Sequence, residues 1–295
     1  MRRIFSFLTS LVLVTSLGFS QTTNRVTILY DAFGKPSPAN LTQDWGYSAL
    51  VEYSGKRILF DTGNNPEIFA HNVKALGVDL KKLDFVVISH RHADHTSGIT
   101  YLLSVNPDVK IYTPDEPFGL FARGVPNSFY RKDEALPANM RYFNGSPPEA
   151  LAAGSPWSNG HFEPISSTTE VAPGIYLVPT ISQTPGTLEL RELSMAIRSP
   201  KGLILIDGCS HAGIEKILEA ATGVDKHVHL LFGGLHWVKT SDADIARLSS
   251  SLHDQWKLEE IAPGHCTGEP AFDALKKSFG DRYIYAGLGT IIELP

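Results

Sequence analysis

Apolar residues along this chain follow two rhythms, short β-branched runs and longer stretches with apolar positions three and four apart. Val26-Thr27-Ile28-Leu29-Tyr30 reads as a first strand, and Tyr47 to Tyr53 with Arg57 to Phe60 reads as a hairpin turning at Ser54-Gly55-Lys56. From Pro66 to Leu76 the spacing is helical, with Ile68, Phe69, Val73 and Leu76 on one side and Gly77 as the stop. Phe85-Val86-Val87-Ile88 predicts a buried strand, Ile99 to Leu103 opens a helix, and Val109 to Tyr112 is extended. Between Thr113 and about Glu170 the periodicity is lost among proline, glycine, serine and aromatic residues. Such a length predicts an irregular insertion packed near the site of the scaffold. Order returns with strands at Ile175–Val178, Ser194–Arg198, Leu203–Ile206 and His229–Phe232, and helices at Ile214–Ala221 and Ala243–Trp256. Glu259–Ala262 and Tyr283–Ala286 read as extended, on either side of a helix at Ala271–Phe279. Each half places hairpin strands first and βα units after. That order predicts an α/β fold, a four-layer αβ/βα sandwich of two mixed sheets flanked by helices, as a single domain over residues 24–295.

The first twenty residues break the pattern. Arg2-Arg3 precede an apolar run from Ile4 to Phe19, with small residues before a cleavage point after Ser20. This reads as a signal peptide over residues 1–20 and predicts a secreted or periplasmic protein with no stable membrane anchor after cleavage. A retained anchor is the rival, but Ser6, Thr9, Ser10, Thr15 and Ser16 interrupt a run already short of the roughly 20 apolar residues a span needs. The net charge of −5 comes without any basic block, so nucleic acid is not an expected partner and a small molecule is.

Candidate chemistry concentrates after the Phe85 strand. Ser89-His90-Arg91-His92-Ala93-Asp94-His95 carries three imidazoles and a carboxylate on the loop leaving the strand's carboxyl end, where open α/β sheets carry their sites. That donor set suits zinc, and iron, manganese or magnesium tolerate overlapping ligands, so one or two divalent ions are expected. Three further histidines follow apolar runs and sit among glycines: His211 in Asp207-Gly208-Cys209-Ser210-His211, His236 in Gly233-Gly234-Leu235-His236, and His265 in Ala262-Pro263-Gly264-His265. Asp61-Thr62-Gly63 also ends a strand, and alone it reads equally as a turn. Asp94 is the candidate to hold or accept the proton of an activated water, and His236 to stabilise an oxyanion or protonate a leaving group. Cys209 and Cys266 each lie beside a candidate ligand, and both a disulfide and two buried thiols fit that placement.

The pieces VTILYDAFG, ILFDTGNN, VVISHRHADHTSGI, LIDGCSHAGI, GGLHW and APGHCTG together resemble the metallo-β-lactamase superfamily, whose signature is His-x-His-x-Asp-His. More narrowly the chain is similar to the branch named for the dihydropterin aminobenzene phosphate synthases. The resemblance implies that His90 and His92 hold a first metal, that Asp94 and His95 hold a second, and that His265 closes the second site. It implies that Asp61 orients a ligand, and that His211 is a ligand with Cys209 as the alternative. Three departures stand out. Gln183 occupies the segment where a further ligand histidine is usual, leaving His211 or His161 to fill the gap. Only Glu192 matches the acidic residues the branch carries before its GCSH strand. Trp45-Gly46-Tyr47 replaces its usual His-Gly-Leu. The expected activity is metal-dependent hydrolysis of a small ester, lactone, phosphoester or amide by an exported enzyme. The alternatives are a synthase or lyase on a phosphorylated pterin-like substrate, or a catalytically weak metal-binding protein of the same fold.

Overall fold

The computed structural model describes residues 24–35, 39–116, 120–121, 124–152, 155–184 and 189–295, so the signal-peptide expectation lies outside the described residues. The chain begins with β1 (Arg25–Tyr30), β2 (Ser48–Tyr53), β3 (Lys56–Phe60), β4 (Phe85–Val87) and β5 (Lys110–Pro114). A small ribbon of β6 (Gly124–Pro126) and β7 (Ala150–Ala152) follows, and β8 (His161–Ile165) returns to the first sheet. The second sheet holds β9 (Thr169–Ala172), β10 (Ile175–Ser182), β11 (Leu190–Ser199), β12 (Gly202–Asp207), β13 (Val228–Gly234) and β14 (Glu260–Gly264). Finally β15 (Ile291–Glu293) pairs with β1.

The first sheet runs β15-β1-β2-β3-β4-β5-β8, antiparallel as far as β3 and parallel from β3 onward. The second runs β14-β13-β12-β11-β10-β9, antiparallel from β9 to β12 and parallel from β12 to β14. Helices α1 (Pro66–Ala75), α2 (Ala93–Thr96) and α3 (Ile99–Val105) belong to the first half, and α4 (Ile214–Ala221), α5 (Asp242–Ser250) and α6 (Glu269–Phe279) to the second.

The period-two alternation of strand side chains makes the four layers. Ile204 and Ile206 join Ile58, Phe60 and Val87 in the core between the sheets, while Leu203 and Leu205 face outward onto Ile217 and Leu218 of α4. In the first sheet Leu59 and Val86 point the other way, onto Phe69 and Val73 of α1 and Ile99 and Leu102 of α3. Each such aliphatic side chain contributes about 1.5–3 kcal/mol on burial. Helix α1 starts where Asn65 accepts hydrogen bonds from the Glu67 and Ile68 amides and Pro66 presets the first turn.

Three sequence expectations need correction, and one strand was not foreseen. The stretch to Glu170 is not irregular throughout, because β8 extends the first sheet parallel to β5 and β9 opens the second. Tyr283–Ala286 is not a strand and makes one bridge, Tyr283 to Ile261. The Ala243–Trp256 helix ends as an α-helix at Ser250 and continues as a wider π turn over Ser251–Gln255. The last strand, β15, has too few residues for an alternation to be visible. Among the described residues no helix is long and apolar enough to cross a membrane.

Candidate metal centre

The carboxyl ends of β3, β4, β12, β13 and β14 meet at one rim, and every candidate ligand leaves one of these ends except Asp94 and His95, which lie on α2, and His161, which opens β8. Asp61, just past β3, is the organiser. It is fully buried, one carboxylate oxygen accepts the Ser89 amide at 2.7 Å, and the other accepts the Ser89 hydroxyl at 2.7 Å and faces His95 Nδ1 at 2.7 Å. A carboxylate only accepts, so His95 carries its proton on Nδ1 and turns the Nε2 lone pair inward. The Ser89 hydroxyl, having donated to Asp61, accepts from His90 Nδ1 at 2.9 Å, which leaves the Nε2 lone pair of His90 free as well.

These lone pairs converge with others into two adjoining groups. In the first, His90 Nε2 lies 3.1 Å from His92 Nδ1, and the His211 ring stands 4.8 Å from each of the two rings. In the second, His95 Nε2 lies 3.2 Å from His265 Nε2, and Asp94 Oδ2 is 3.4 Å from that same nitrogen. Cys209 lies between the groups, its sulfur 3.3 Å from His95 Nε2 and clustered with His90 and His95. Both ring nitrogens of His211 and the Nδ1 of His265 are buried without a hydrogen-bond partner. Orphaned imidazole nitrogens are costly in a protein interior, and a cation in the first group satisfies one of the two on His211. The donor set, imidazoles with one carboxylate and a thiol, fits a divalent ion in each group.

Burial keeps the imidazoles of the first group in the ligating, neutral form. It holds His90 well below the ordinary histidine range, helped by His95, His211 and His92. His211 is pushed down to about 3 by burial and then by the His236, His92 and His95 charges. For His265 burial alone would lower the pKa, but the Cys266 charge, the Asp94 hydrogen bond and the Asp31 and Asp94 charges push it up to about 9. For Asp94 burial alone would raise the pKa, but the His265 hydrogen bond and the His95 and His265 charges outweigh it and hold the group below the ordinary carboxylate range.

Three buried carboxylates that the sequence reading left without a stated role support the ligand loops. Glu192 accepts the amides of Cys209, Ser210 and His211 at 2.9, 3.1 and 2.7 Å, pinning the GCSH turn. Asp31, at the end of β1, accepts the His265 amide at 2.9 Å. Asp207 accepts the Ser210 hydroxyl at 2.5 Å. The available signal was positional, since Asp31 and Asp207 occupy strand ends as Asp61 does. Asp61, Ser210, His236 and His265 all hold positive φ, at 58°, 60°, 55° and 44°. Such geometry costs non-glycine residues about 1–2 kcal/mol each, and its gathering at one rim marks a functional surface. Gly208 is required by close approach: a Cβ there would lie 2.2 Å from the Ser89 hydroxyl.

The remaining candidates are placed as follows. His236 is exposed at the opening with its ring 4.2 Å from that of His211, and its amide donates to the Cys266 sulfur at 3.2 Å. Cys266 and Cys209 are free, buried thiols with their sulfurs 3.3 Å apart. Gln183 is exposed and lines a cavity of about 390 Å³ on the same rim with Arg191 and Lys216. His161 stays apart: it is exposed, opens β8 opposite Lys110, and joins none of the donor clusters.

Comparison with known proteins finds relatives in sequence and in fold. The metallo-beta-lactamase superfamily profile matches residues 42–182. The chain is 28% identical over 285 residues to the 7,8-dihydropterin-6-methyl-4-(beta-D-ribofuranosyl)-aminobenzene-5'-phosphate synthase of Methanocaldococcus jannaschii, covering 90% of this chain and 95% of that protein. An uncharacterized protein of the same organism is 25% identical, over 84% of this chain and 92% of its own. Among solved structures, a metal-dependent hydrolase of the beta-lactamase superfamily superposes with a TM-score of 0.66 at 24% identity, covering 92% of this chain and 99% of that one. Human tRNase Z, short form, superposes at 0.54 with 14% identity, over 92% and 99% of the two chains.

Proposed function

We propose that the chain is a metal-dependent enzyme of the metallo-β-lactamase superfamily, acting on a small phosphorylated, pterin-like substrate, with a synthase or lyase outcome. The observation that carries the substrate class is the likeness to the dihydropterin-related synthase, which extends over 90% of this chain. His90, His92 and His211 would hold one ion, Asp94, His95 and His265 a second, and Cys209 lies between them. A divalent ion bound there, zinc foremost, supplies Lewis acidity toward a phosphoryl or carbonyl oxygen and lowers the pKa of a coordinated water.

The chain's own residues do the rest. Asp61 and Ser89 keep the His95 and His90 tautomers turned inward. Asp94, held ionised, is the acceptor for a proton released beside His265. His236, exposed at the opening beside His211, Cys209 and Cys266, is placed to donate to a departing group or to an oxygen gaining charge.

A second reading, hydrolysis of a small ester, lactone, phosphoester or amide, is favoured by two specific features. The paired clusters suit water activation, and Trp45 and Gln183 depart from the pterin-related branch. Elemental analysis of the purified protein, followed by assay against phosphorylated pterins and against chromogenic esters, lactones and phosphodiesters, decides between them. We expect metal at one or two equivalents and turnover of phosphorylated pterins. Turnover confined to the ester and lactone set would transfer the assignment to the second reading. Full activity in His92→Ala would overturn both.

A further inference from the structure

Trp45 occupies an unusual position for a large apolar side chain. It is 46% exposed, yet its ring centroid lies 5.2 Å from that of His265, a member of the second donor group. Its exposure does not come from a loose loop. On one side the Asp44 amide donates to the Asp31 carbonyl at 3.4 Å, and the Asp44 carboxylate accepts from the Tyr30 hydroxyl. On the other side the Tyr47 amide donates to the Asp94 carbonyl at 3.2 Å, and the Tyr47 carbonyl accepts the Gly63 amide at 2.9 Å. Gly46 between them has φ 144° and approaches so closely that a Cβ would lie 2.6 Å from the Asp94 carbonyl oxygen. The backbone on both sides of Trp45 is therefore tied to the segment that carries a candidate metal ligand, and the indole rests against the His265 ring. A fixed, half-exposed aromatic ring presents a π-face at little entropic cost, which is the requirement for stacking a flat ligand.

We propose that Trp45 is a stacking platform for a planar aromatic or heteroaromatic ring of the substrate, whose reacting group lies over the donor clusters. This rests on the rim being the substrate site. It narrows the substrate class to molecules in which a flat ring lies close to the reacting centre. Trp45 is a binding and positioning residue, and it takes no part in proton transfer.

The test uses zinc-loaded full-length protein and two inert probes, phenylphosphonate and methylphosphonate, with binding followed by titration calorimetry and by tryptophan fluorescence. Wild type should bind phenylphosphonate about ten-fold more tightly than methylphosphonate, with a fluorescence change for the phenyl probe alone. Trp45→Phe should keep most of that preference. Trp45→Ala should bring the two probes to parity, with methylphosphonate affinity and zinc content unchanged. If Trp45→Ala retains the preference, or wild type binds both probes equally well, the platform is refuted while the metal centre stands. If zinc-loaded wild type binds neither probe, the reading of the rim as the substrate site falls, and the platform with it.

Discussion

Histidines and acidic residues gather at both ends of the second sheet, and the two gatherings behave in opposite ways. At the far end, His229 Nδ1 faces Glu259 at 2.6 Å, His229 Nε2 faces Glu260 at 3.7 Å, and His227 Nε2 faces Glu259 at 2.9 Å. There the carboxylates take the imidazole nitrogens directly, and among the described residues the group is absent from the possible metal-holding clusters. At the carboxyl rim the acids other than Asp94 stand one step back. Asp61, Glu192 and Asp31 bind the outer ring nitrogen or the backbone of a ligand, leaving inner nitrogens to converge on each other. The same residue types thus build an ion-pair cluster in one place and a candidate metal centre in the other. Which lone pair each carboxylate occupies makes the difference.

Breaking the comparison begins with the ligands. His211→Ala should cut metal content and lower activity at least a hundredfold, while His229→Ala should leave metal content unchanged, both read by elemental analysis and kinetics. Equal metal loss in the two variants would end the distinction. Asp61→Ala should weaken metal affinity about 10–100-fold, since it frees the His95 tautomer and the Ser89 bond together. A competition titration with a chelator would measure this. Gly208→Ala should destabilise by about 1–3 kcal/mol through the clash with Ser89, visible as a thermal shift, and should lower metal affinity as the Asp61–Ser89 pair is displaced. The smallest effect belongs to the far end. Its hydrogen bond from His229 holds Glu259 below the ordinary glutamate range, so this pair's stabilisation is present above that range and fades as pH falls through the depressed value. Glu259→Gln should slightly flatten the acid limb of the stability curve and leave the metal site untouched, because Glu259 is half exposed and screened.

Much of the scaffold was legible because its core strands are continuous apolar runs and helix α1 opens with a cap. The stretches Val26–Tyr30, Tyr47–Phe60 and Leu203–Ile206 have faces buried on both sides, and Pro66–Leu76 begins with Asn65 and Pro66. Strand β8 was not legible: His161, Glu163 and Pro164 are exposed, and only Ile165 is buried, so no apolar rhythm betrays an edge strand. The organising role of Glu192 was equally hidden. It lies inside a long strand, and its partners are three backbone amides that no composition records.

Taken alone, the amino-acid sequence determined the two-sheet α/β framework and the set of donor residues at strand ends, because local periodicity and residue chemistry are written in neighbouring positions. The partition into donor groups was decided by the tertiary structure: which histidines face each other, that Cys209 lies between the groups while His161 stays away, and that Trp45 stands fixed beside His265. The reason is physical. Lone-pair direction depends on ring hydrogen bonds such as His95 to Asp61, and loop position on backbone bonds such as the His265 amide to Asp31, made between residues 34 and 234 positions apart, and only the packed sheets bring those partners within reach.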